Sequence, residues 1–261
     1  MSKTIKLRKG FDIKMQGVAE HIFIQNPMPD SVALKPTDFV GLTAKLAVKE
    51  GDTVLAGEPL FIDKNRPEVQ FTSPVSGVVS AINRGARRAL LNVVVKPDAE
   101  IKYKSFDFGD LDGMNREQVV AAMLEAGVWP FIKQRPFDII ANPNEKPKSI
   151  HISTFDTAPL APDYTFALEE SAADFQVGVN ALRKLTDGVV NLNIYKEDRA
   201  KTTFTKITGV EQNYFTGPHP AGNVGVQIHH IDPINKGDVV WVVNPQAVAI
   251  IGRLFSQKKF D

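Results

Sequence analysis

The stretch from Val48 to Val95 most constrains the fold, because short apolar segments alternate there with glycine turns. Gly51 and Gly57 mark the first two turns, and Gly77 and Gly85 mark two later ones. Short strands separated by glycine turns at this spacing are typical of a small all-β sandwich, rather than of a helical or parallel arrangement. We therefore predict an all-β domain in the first part of the chain.

Two further strands are predicted before this stretch. Residues 3–13 alternate apolar and basic side chains up to Gly10, which indicates a short edge strand followed by a turn. Residues 40–46 alternate in the same way and predict a second strand.

The hydrophobic period becomes helical after a polar connector at residues 98–114. Asn115 and Gln118 have the spacing of a capping box, and apolar residues then recur at helical spacing until Gly127. A helix is therefore predicted between Asn115 and Gly127.

A βαβ unit is predicted in the second half of the chain. Ser171 with Asp174 is read as the start of a helix that ends at Gly188, and strands are predicted at residues 149–153 and 190–195. Strand, helix and strand with short connections form a parallel sheet covered by helices. Asn244 followed by Pro245 predicts a last helix. The predicted fold class is therefore α/β plus all-β.

The segment at residues 128–137, VWPFIKQRPF, follows the first helix and has no regular period. It contains three aromatic residues, two prolines and two cations. Residues 137–141 after it are predicted to form a buried strand.

The most unusual stretch is GPHPAGNVGVQIHHIDP at residues 217–233. Two glycine-rich turns precede the apolar run at residues 224–231, which we predict to be a strand. The loop approaches a large flat group, closes one domain against another, or is a rigid linker beside a core strand. In a strand, His229 and His230 point to opposite faces and do not readily chelate one metal ion.

Composition excludes several classes of function. Cysteine is absent, which removes disulfides, iron–sulfur ligation and thiol catalysis. The net charge is +1, from 31 basic and 30 acidic residues, and gives no electrostatic case for nucleic acid or an anionic membrane surface. We expect no secretory leader and no spanning helix, because the start has no apolar core and no apolar run reaches the length required. The P-loop and the dinucleotide-binding glycine motif are also absent.

The glycine-turn pattern around SPVSGVV at residues 73–79 resembles the barrel-sandwich, or hammerhead, fold of biotinyl and lipoyl carrier domains. Those carriers present a modified lysine at a hairpin tip. Asp63-Lys64 mimics the lipoyl dipeptide, although the residues after it, Asn65-Arg66-Pro67, predict an irregular loop. A docking or packing module is the preferred interpretation.

Three motifs together resemble one family. They are KGFDI at 9–13, SPVSGVV at 73–79, and HPAGNVG at 219–225 followed by Ile228-His229. The chain is similar over its whole length to the A subunits of the bacterial Na⁺-translocating NADH:quinone oxidoreductases. It is more distantly similar to the C subunits of Rnf electron-transport complexes. Its motif loop comprises His219, Pro220, Gly222, Gly225 and His229.

The resemblance implies a domain organisation. A barrel-sandwich domain with the N-terminal edge strand occupies residues 1–100. An α/β domain, similar to the flavin-binding domain of the NADH-oxidising subunit of complex I, occupies residues 101–261. Family members continue past this point, so we expect a further C-terminal domain to be missing.

The resemblance also implies a function. The implied protein is peripheral to the cytoplasmic face of the bacterial inner membrane and soluble when isolated. It binds quinone and docks other subunits of the complex, especially a membrane subunit. In the related flavin domain a glycine-rich loop holds the FMN phosphate, but here Gly127 to Phe137 lacks those glycines. We therefore expect no flavin, metal or iron–sulfur cluster on this chain and no catalytic residue.

A quinone ring is flat and uncharged, so it needs aromatic walls and one or two hydrogen-bond donors. We predict that these residues come from the unusual segment and one nearby histidine, namely Trp129, Phe131, Lys133, Arg135, Phe137 and His151. Two alternatives remain open, a purely structural subunit of the same complex and a lipoyl- or biotin-like carrier modified at Lys64.

Overall fold

The computed structural model describes residues 3–260. The strands are β1 (Lys3–Lys6), β2 (Val32–Leu34), β3 (Ala44–Leu46), β4 (Thr53–Val54), β5 (Pro59–Asp63), β6 (Arg66–Thr72), β7 (Gly77–Arg84), β8 (Leu90–Pro97), β9 (Lys133–Arg135), β10 (Ile139–Ile140), β11 (Ser149–Ser153), β12 (Val189–Tyr195), β13 (Glu211–Thr216) and β14 (Val240–Val242). The helices are α1 (Arg116–Glu125), α2 (Tyr164–Ala167), α3 (Ala172–Arg183), α4 (Thr202–Thr205), α5 (Val224–Ile231) and α6 (Pro245–Gln257).

Contacts divide the chain into two compact units. The sandwich unit comprises residues 25–133, 138–141 and 253–260, and the α/β unit comprises residues 3–24, 134–137 and 142–252. This division differs from the predicted boundary at residue 100, because α1 packs against β6 in the sandwich unit.

The sandwich unit is built from two antiparallel sheets, as the glycine-turn pattern predicts. One sheet has the strand order β2–β8–β7–β4 and the other has the order β3–β5–β6. Phe61 and Phe71 stack in its core with ring centroids 5.0 Å apart. The strand predicted at residues 40–46 is shorter than expected, because only Ala44–Leu46 pairs with β5.

The α/β unit contains the predicted parallel sheet, with the order β1–β13–β12–β11–β14. Each of these neighbouring pairs is parallel. The chain passes from β11 through α3 to β12, which confirms the βαβ unit. Leu7, Phe155 and Phe215 form a core cluster at the β1 end of the sheet.

The N-terminal strand lies in a different place from the one predicted. We predicted the edge strand within residues 3–13 as part of the barrel-sandwich domain, but β1 pairs in parallel with β13, from Lys3 beside Asn213 to Lys6 beside Thr216. The alternating pattern therefore correctly indicated an edge strand, but sequence proximity assigned it to the wrong sheet.

The helix starts follow the predicted caps in two of three cases. Asn115 and Gln118 form the complete capping box of α1, and the Asn244 side chain accepts a hydrogen bond from the Ala247 backbone at 2.7 Å. Helix α3 begins after Ser171, but the Ser171 side chain makes no capping hydrogen bond. This cap was predicted wrongly, because spacing alone does not fix the rotamer of the serine. Helix α3 also ends at Arg183, before Gly188.

The strand predicted at residues 137–141 contains only Ile139–Ile140. Phe137 is 74% exposed and lies outside it. The prediction of a longer buried strand was therefore wrong, because the apolar run included an aromatic residue of the preceding turn.

Candidate functional site

The carboxyl ends of β11, β12 and β13 lie along one edge of the α/β sheet, where ligands commonly bind in parallel α/β proteins. The segments that follow these strands contribute to a cavity of about 470 Å³. Its polar lining includes Asp156, Asp163, Tyr195, Asp198 and Lys201. The sequence analysis missed this cavity, because its residues come from separate loops and share no local motif.

The charges of this cavity are mostly negative. Its described lining contains four carboxylates and one cation, namely Asp12, Asp156, Asp163, Asp198 and Lys201. Lys201 Nζ lies 2.8 Å from a carboxylate oxygen of Asp198 and 3.3 Å from one of Asp163. The hydrogen bond with Asp198 raises the pKa of Lys201. The cavity therefore offers a polar surface with an excess of carboxylates.

His219 of the motif loop is fixed to the body of the α/β unit by its backbone and side chain. Its N–H donates to Asp12 Oδ1 at 2.8 Å, and its carbonyl accepts from the Phe11 N–H at 3.0 Å. Its Nδ1 lies 3.1 Å from Thr157 Oγ1. The peptide that joins His219 to Pro220 is cis. The motif loop is thus a fixed part of the α/β unit.

Of the two glycines in the motif loop, Gly222 is required by a close backbone approach, whereas Gly225 faces the flexible end of an arginine side chain. The Gly222 N–H donates to Thr157 Oγ1 at 2.9 Å, and a Cβ on Gly222 would stand 2.6 Å from Asp156 Cα. A Cβ on Gly225 would stand 2.8 Å from a guanidinium nitrogen of Arg135. Arg135, one of the predicted quinone donors, therefore lies against the motif loop.

The run after the motif loop is a helix, so the strand predicted at residues 224–231 is wrong. Asn223 caps α5 by accepting a hydrogen bond from the Gly225 N–H at 2.9 Å. His229 and His230 consequently lie in the last turn of a helix, not on opposite faces of a strand. His230 Nδ1 lies 2.8 Å from the Val226 carbonyl oxygen, and both histidine side chains are exposed.

A row of buried polar side chains lies across the middle of the sheet. His151 Nε2 lies 3.4 Å from Asn191 Nδ2, and Asn213 Nδ2 donates to Asn191 Oδ1 at 3.0 Å. Asn193 Nδ2 donates to Oε1 of Gln227 on α5 at 2.9 Å. Gln227 also donates to the Ala221 carbonyl at 3.0 Å, which links this polar row to the motif loop.

His151 is fully buried and lies in an environment that disfavours its charged form. Burial lowers the pKa of His151 to about 4, although the charge of Asp232 acts in the opposite direction. Its Nδ1 has no hydrogen-bond partner among the described residues. A neutral, enclosed imidazole does not reach a ligand at the surface. The role of His151 as a quinone donor therefore stays a prediction, and its complete burial does not favour that role.

The segment around Trp129 lies in the sandwich unit. The fully buried Trp129 side chain donates its indole N–H to the Ala141 carbonyl at 2.9 Å. Phe131 is half-buried, and its ring lies 6.2 Å from the Phe260 ring. Lys133 Nζ lies 5.5 Å from the centre of the Phe39 ring, and burial lowers the pKa of Lys133.

The six predicted quinone residues fall into two groups. Trp129, Phe131 and Lys133 belong to the sandwich unit, whereas Arg135, Phe137 and His151 belong to the α/β unit. Phe131 and Lys133 combine partial exposure with an aromatic neighbourhood in one unit. The Trp129 side chain instead fixes this segment from inside.

Lys64 occupies the tip of a tight hairpin, so the irregular loop predicted there is wrong. Asp63 pairs with Arg66 across the connection between β5 and β6, which consists of Lys64 and Asn65. The buried Asp63 carboxylate accepts from Arg66 Nε at 3.1 Å. The Lys64 side chain is exposed at this tip.

The described residues offer neither a metal-binding cluster nor a helix that could span a membrane. No group of three or more histidine, aspartate or glutamate side chains at residues 3–260 is arranged to hold a metal ion. Within the same residues, no helix combines the length and the apolar character needed to cross a bilayer.

Comparison with known families matches both parts of the chain. A family model described as the NqrA N-terminal barrel-sandwich hybrid domain matches residues 5–98. A second model, described as the NqrA second alpha/beta domain, matches residues 114–260. The chain belongs to the NqrA family. The family match agrees with the two fold types seen in the structure and with the order in which they were predicted.

Several NqrA relatives are similar over nearly the whole chain. The A subunit of the Na(+)-translocating NADH-quinone reductase of Yersinia pseudotuberculosis serotype O:1b is 39% identical over 255 residues, which is 97% of this chain and 57% of the relative. The corresponding proteins of Serratia proteamaculans and Neisseria meningitidis serogroup A are 36% and 35% identical, each covering 98% of this chain and 58% of the relative. The chain thus spans less than two thirds of the length of these curated relatives.

Proposed function

We propose that this chain is part of a Na⁺-translocating NADH-quinone reductase, an oxidoreductase that couples respiratory electron transfer to sodium export. The observation that carries this proposal is the 39% identity to the Yersinia pseudotuberculosis relative over 97% of the chain. The partners are then the other subunits of the complex, including a membrane subunit. The chain is placed at the cytoplasmic face of the bacterial inner membrane.

Within that complex we assign the chain a quinone-binding and docking role at the segment around Phe131 and Lys133. A quinone ring is flat and uncharged, so an aromatic wall with one cationic donor suits it better than a phosphate site. Phe131 and Lys133 are both half-buried, and Lys133 is partly desolvated beside Phe39. A desolvated ammonium group makes a stronger hydrogen bond to a carbonyl oxygen than one in water does.

A titration with a short-chain quinone tests this role in the isolated chain. The chain has two tryptophans, so Trp241→Phe leaves Trp129 as the sole tryptophan, two residues from Phe131. We expect saturable quenching of Trp129 fluorescence in this background. Adding Phe131→Leu or Lys133→Gln should weaken the apparent affinity about tenfold.

Phe23→Leu is the matched control, because Phe23 is an exposed phenylalanine of the α/β unit. Its saturation curve should equal that of the parent. Linear, non-saturating quenching in the parent and in every variant would contradict a quinone site in this segment.

A purely structural role is the second candidate, and the complete burial of Trp129 and His151 favours it. In that case both residues fill the interior, and a partner subunit provides the quinone site. Replacing Phe131 and Lys133 by alanine in an assembled complex separates the candidates. Unchanged quinone reduction kinetics would support the structural role, whereas a raised KM for quinone would support the binding role.

The carrier alternative depends on Lys64. Its position at an exposed tight turn resembles the geometry of carrier domains, but buried Asp63 is engaged by Arg66. Intact mass spectrometry of the chain from a host with the lipoyl and biotin ligases decides the matter. We expect the unmodified mass, and an added group that disappears in Lys64→Arg would establish the carrier function.

A further inference from the structure

The sandwich unit contains a cavity of about 800 Å³ that the proposed function does not use. It lies between β3, the Lys64 tip and the connection between β7 and β8, and we call it the trough. Its apolar lining comes from Pro36, Phe39, Leu42, Leu46 and Leu90. This lining is continuous with the core, because the Phe39 ring packs edge-on against Phe71 at 4.6 Å.

The charged lining of the trough has one sign. Lys45, Lys64, Arg84 and Arg88 line it, and no carboxylate does. All four side chains are exposed, and none forms an ion pair with a described carboxylate. The net charge of the whole chain is only +1, so four unpaired cations on one cavity are a strong local excess. The small net charge of the whole chain therefore gives no indication of this local basic site.

The β7–β8 connection presents its arginines at a conformational cost. Arg87 and Arg88 have φ angles of 55° and 61°, in the left-handed region that favours glycine and asparagine. The Arg84 guanidinium donates to the Arg88 carbonyl at 3.0 Å and braces this turn. Backbone strain of this kind persists where the surrounding structure holds it and tends to mark binding sites.

Two exposed apolar residues are next in sequence to residues that line the trough. Val40 is 60% exposed and follows Phe39, and Leu91 is 42% exposed and follows Leu90. Arginine and lysine beside exposed aliphatic residues are the combination found where a protein lies on an anionic lipid surface. A free inorganic anion would make no use of the apolar lining, whereas the glycerol and first methylenes of a lipid would.

We propose that the trough binds the headgroup of an acidic phospholipid, with its phosphate on the four cations and its glycerol against the apolar lining. Arginine pairs are well suited to phosphate oxygens, because each guanidinium donates two parallel hydrogen bonds. Val40 and Leu91 then contact the acyl region of the bilayer. The choice of a lipid rests on the proposed membrane complex, but vesicle binding and assembly into that complex can fail independently.

Vesicle flotation of the purified chain tests the proposal. Vesicles of phosphatidylcholine alone are compared with vesicles that also contain phosphatidylglycerol. We expect binding to the anionic vesicles only, with an affinity that falls as salt rises. A combined variant carries glutamine at Lys45, Lys64, Arg84 and Arg88. Each neutralised cation should weaken binding to the anionic vesicles about fivefold. The combined variant should therefore weaken this binding at least about a hundredfold.

The matched control loses the same charge elsewhere, by glutamine substitution at Lys96, Lys196, Lys206 and Lys236, which are all exposed. It should retain most of the binding. Equal loss in both variants would overturn the proposal in favour of non-specific attraction. Complete competition by inorganic phosphate, at an ionic strength matched with chloride, would overturn the lipid assignment in favour of a free-anion site. Val40→Ser with Leu91→Ser, which keeps every charge, should also reduce binding.

Discussion

At the scale of single residues, His151 shows how strongly the parallel sheet determines its environment. Residues that alternate with apolar ones along a strand are often exposed, but both faces of a parallel sheet are covered. His151, Asn191 and Asn193 are therefore buried, and each finds polar neighbours on the adjacent strand or on α5. The sequence shows the alternation but not which element covers the polar face.

His151 should make stability depend on pH. Its folded-state pKa of about 4 lies below the ordinary 6.5, so the unfolded chain binds this proton more readily between those values. The histidine-linked stability is present above pH 6.5 and is lost as pH falls, by up to roughly 3 kcal/mol near pH 4. Urea unfolding of wild type and His151→Gln across this range measures the difference, which should shrink as pH falls. Exposed His229→Gln is the control for the replacement of a histidine elsewhere in the same unit.

Gly222 should tolerate no side chain. A Cβ there would meet the Asp156 backbone at 2.6 Å, and backbone cannot move aside as a flexible side chain can. Gly222→Ala should lower the free energy of unfolding by about 1–3 kcal/mol in chemical denaturation. Gly109→Ala is the matched control, because nothing lies within 4 Å of a Cβ at that position. Equal stability of the two variants would contradict the close approach.

At the scale of elements, sequence patterns predicted the sandwich sheets and the βαβ unit but not α5. The run Val224–Ile231 is short, apolar and rich in β-branched residues, which periodicity alone does not distinguish from a strand. The decisive residues are Asn223, which caps the helix, and Gln227, which the helix directs onto the polar row. The role of Gln227 depends on a tertiary contact that the sequence does not show. This contact outweighs the local preference of the segment for a strand.

The caps of α1 and α3 provide a paired prediction. The Asn115 side chain accepts from the Gln118 N–H at 2.9 Å, whereas Ser171 makes no capping bond. Asn115→Ala should therefore lower the free energy of unfolding by about 1 kcal/mol. Ser171→Ala should change it by less than about 0.5 kcal/mol. Denaturant titration of both variants measures these values, and an equal loss would mean that Ser171 caps α3 in solution.

At the scale of the whole molecule, the order of the two fold types was predictable, whereas the path of the chain between them was not. Residues 3–6 pair in the sheet of the α/β unit, although the next unit along the chain, from residue 25, is the sandwich unit. The segment at residues 128–137, where we propose quinone binding, is similarly divided, since Lys133 and Arg135 belong to different units. The sequence around β1 does not indicate its distant partner, because β13 has no motif that distinguishes it from the other strands.

The placement of β1 can be tested with Leu7, which is buried against Phe215 in the core of the α/β unit. Leu7→Ala should lower the free energy of unfolding of that unit by about 2–5 kcal/mol. Hydrogen exchange followed by mass spectrometry should show lost protection in β12 and β13. Val93→Ala, a buried change in β8, is the comparison and should affect β7 and β8. If Leu7→Ala instead lowered protection in β7 and β8, the result would contradict the pairing of β1 with β13 and would favour its assignment to the sandwich unit.

The pairing of β1 with β13 also has a consequence during synthesis on the ribosome. Strand β1 waits for a partner made roughly two hundred residues later, whereas the hairpins of the sandwich unit close soon after they leave the exit tunnel. An unpaired strand edge is an aggregation hazard for crowded nascent chains. The basic residues around Ile5 and Leu7 are Lys3, Lys6, Arg8 and Lys9. Their mutual repulsion should keep neighbouring nascent chains apart until β13 has been made.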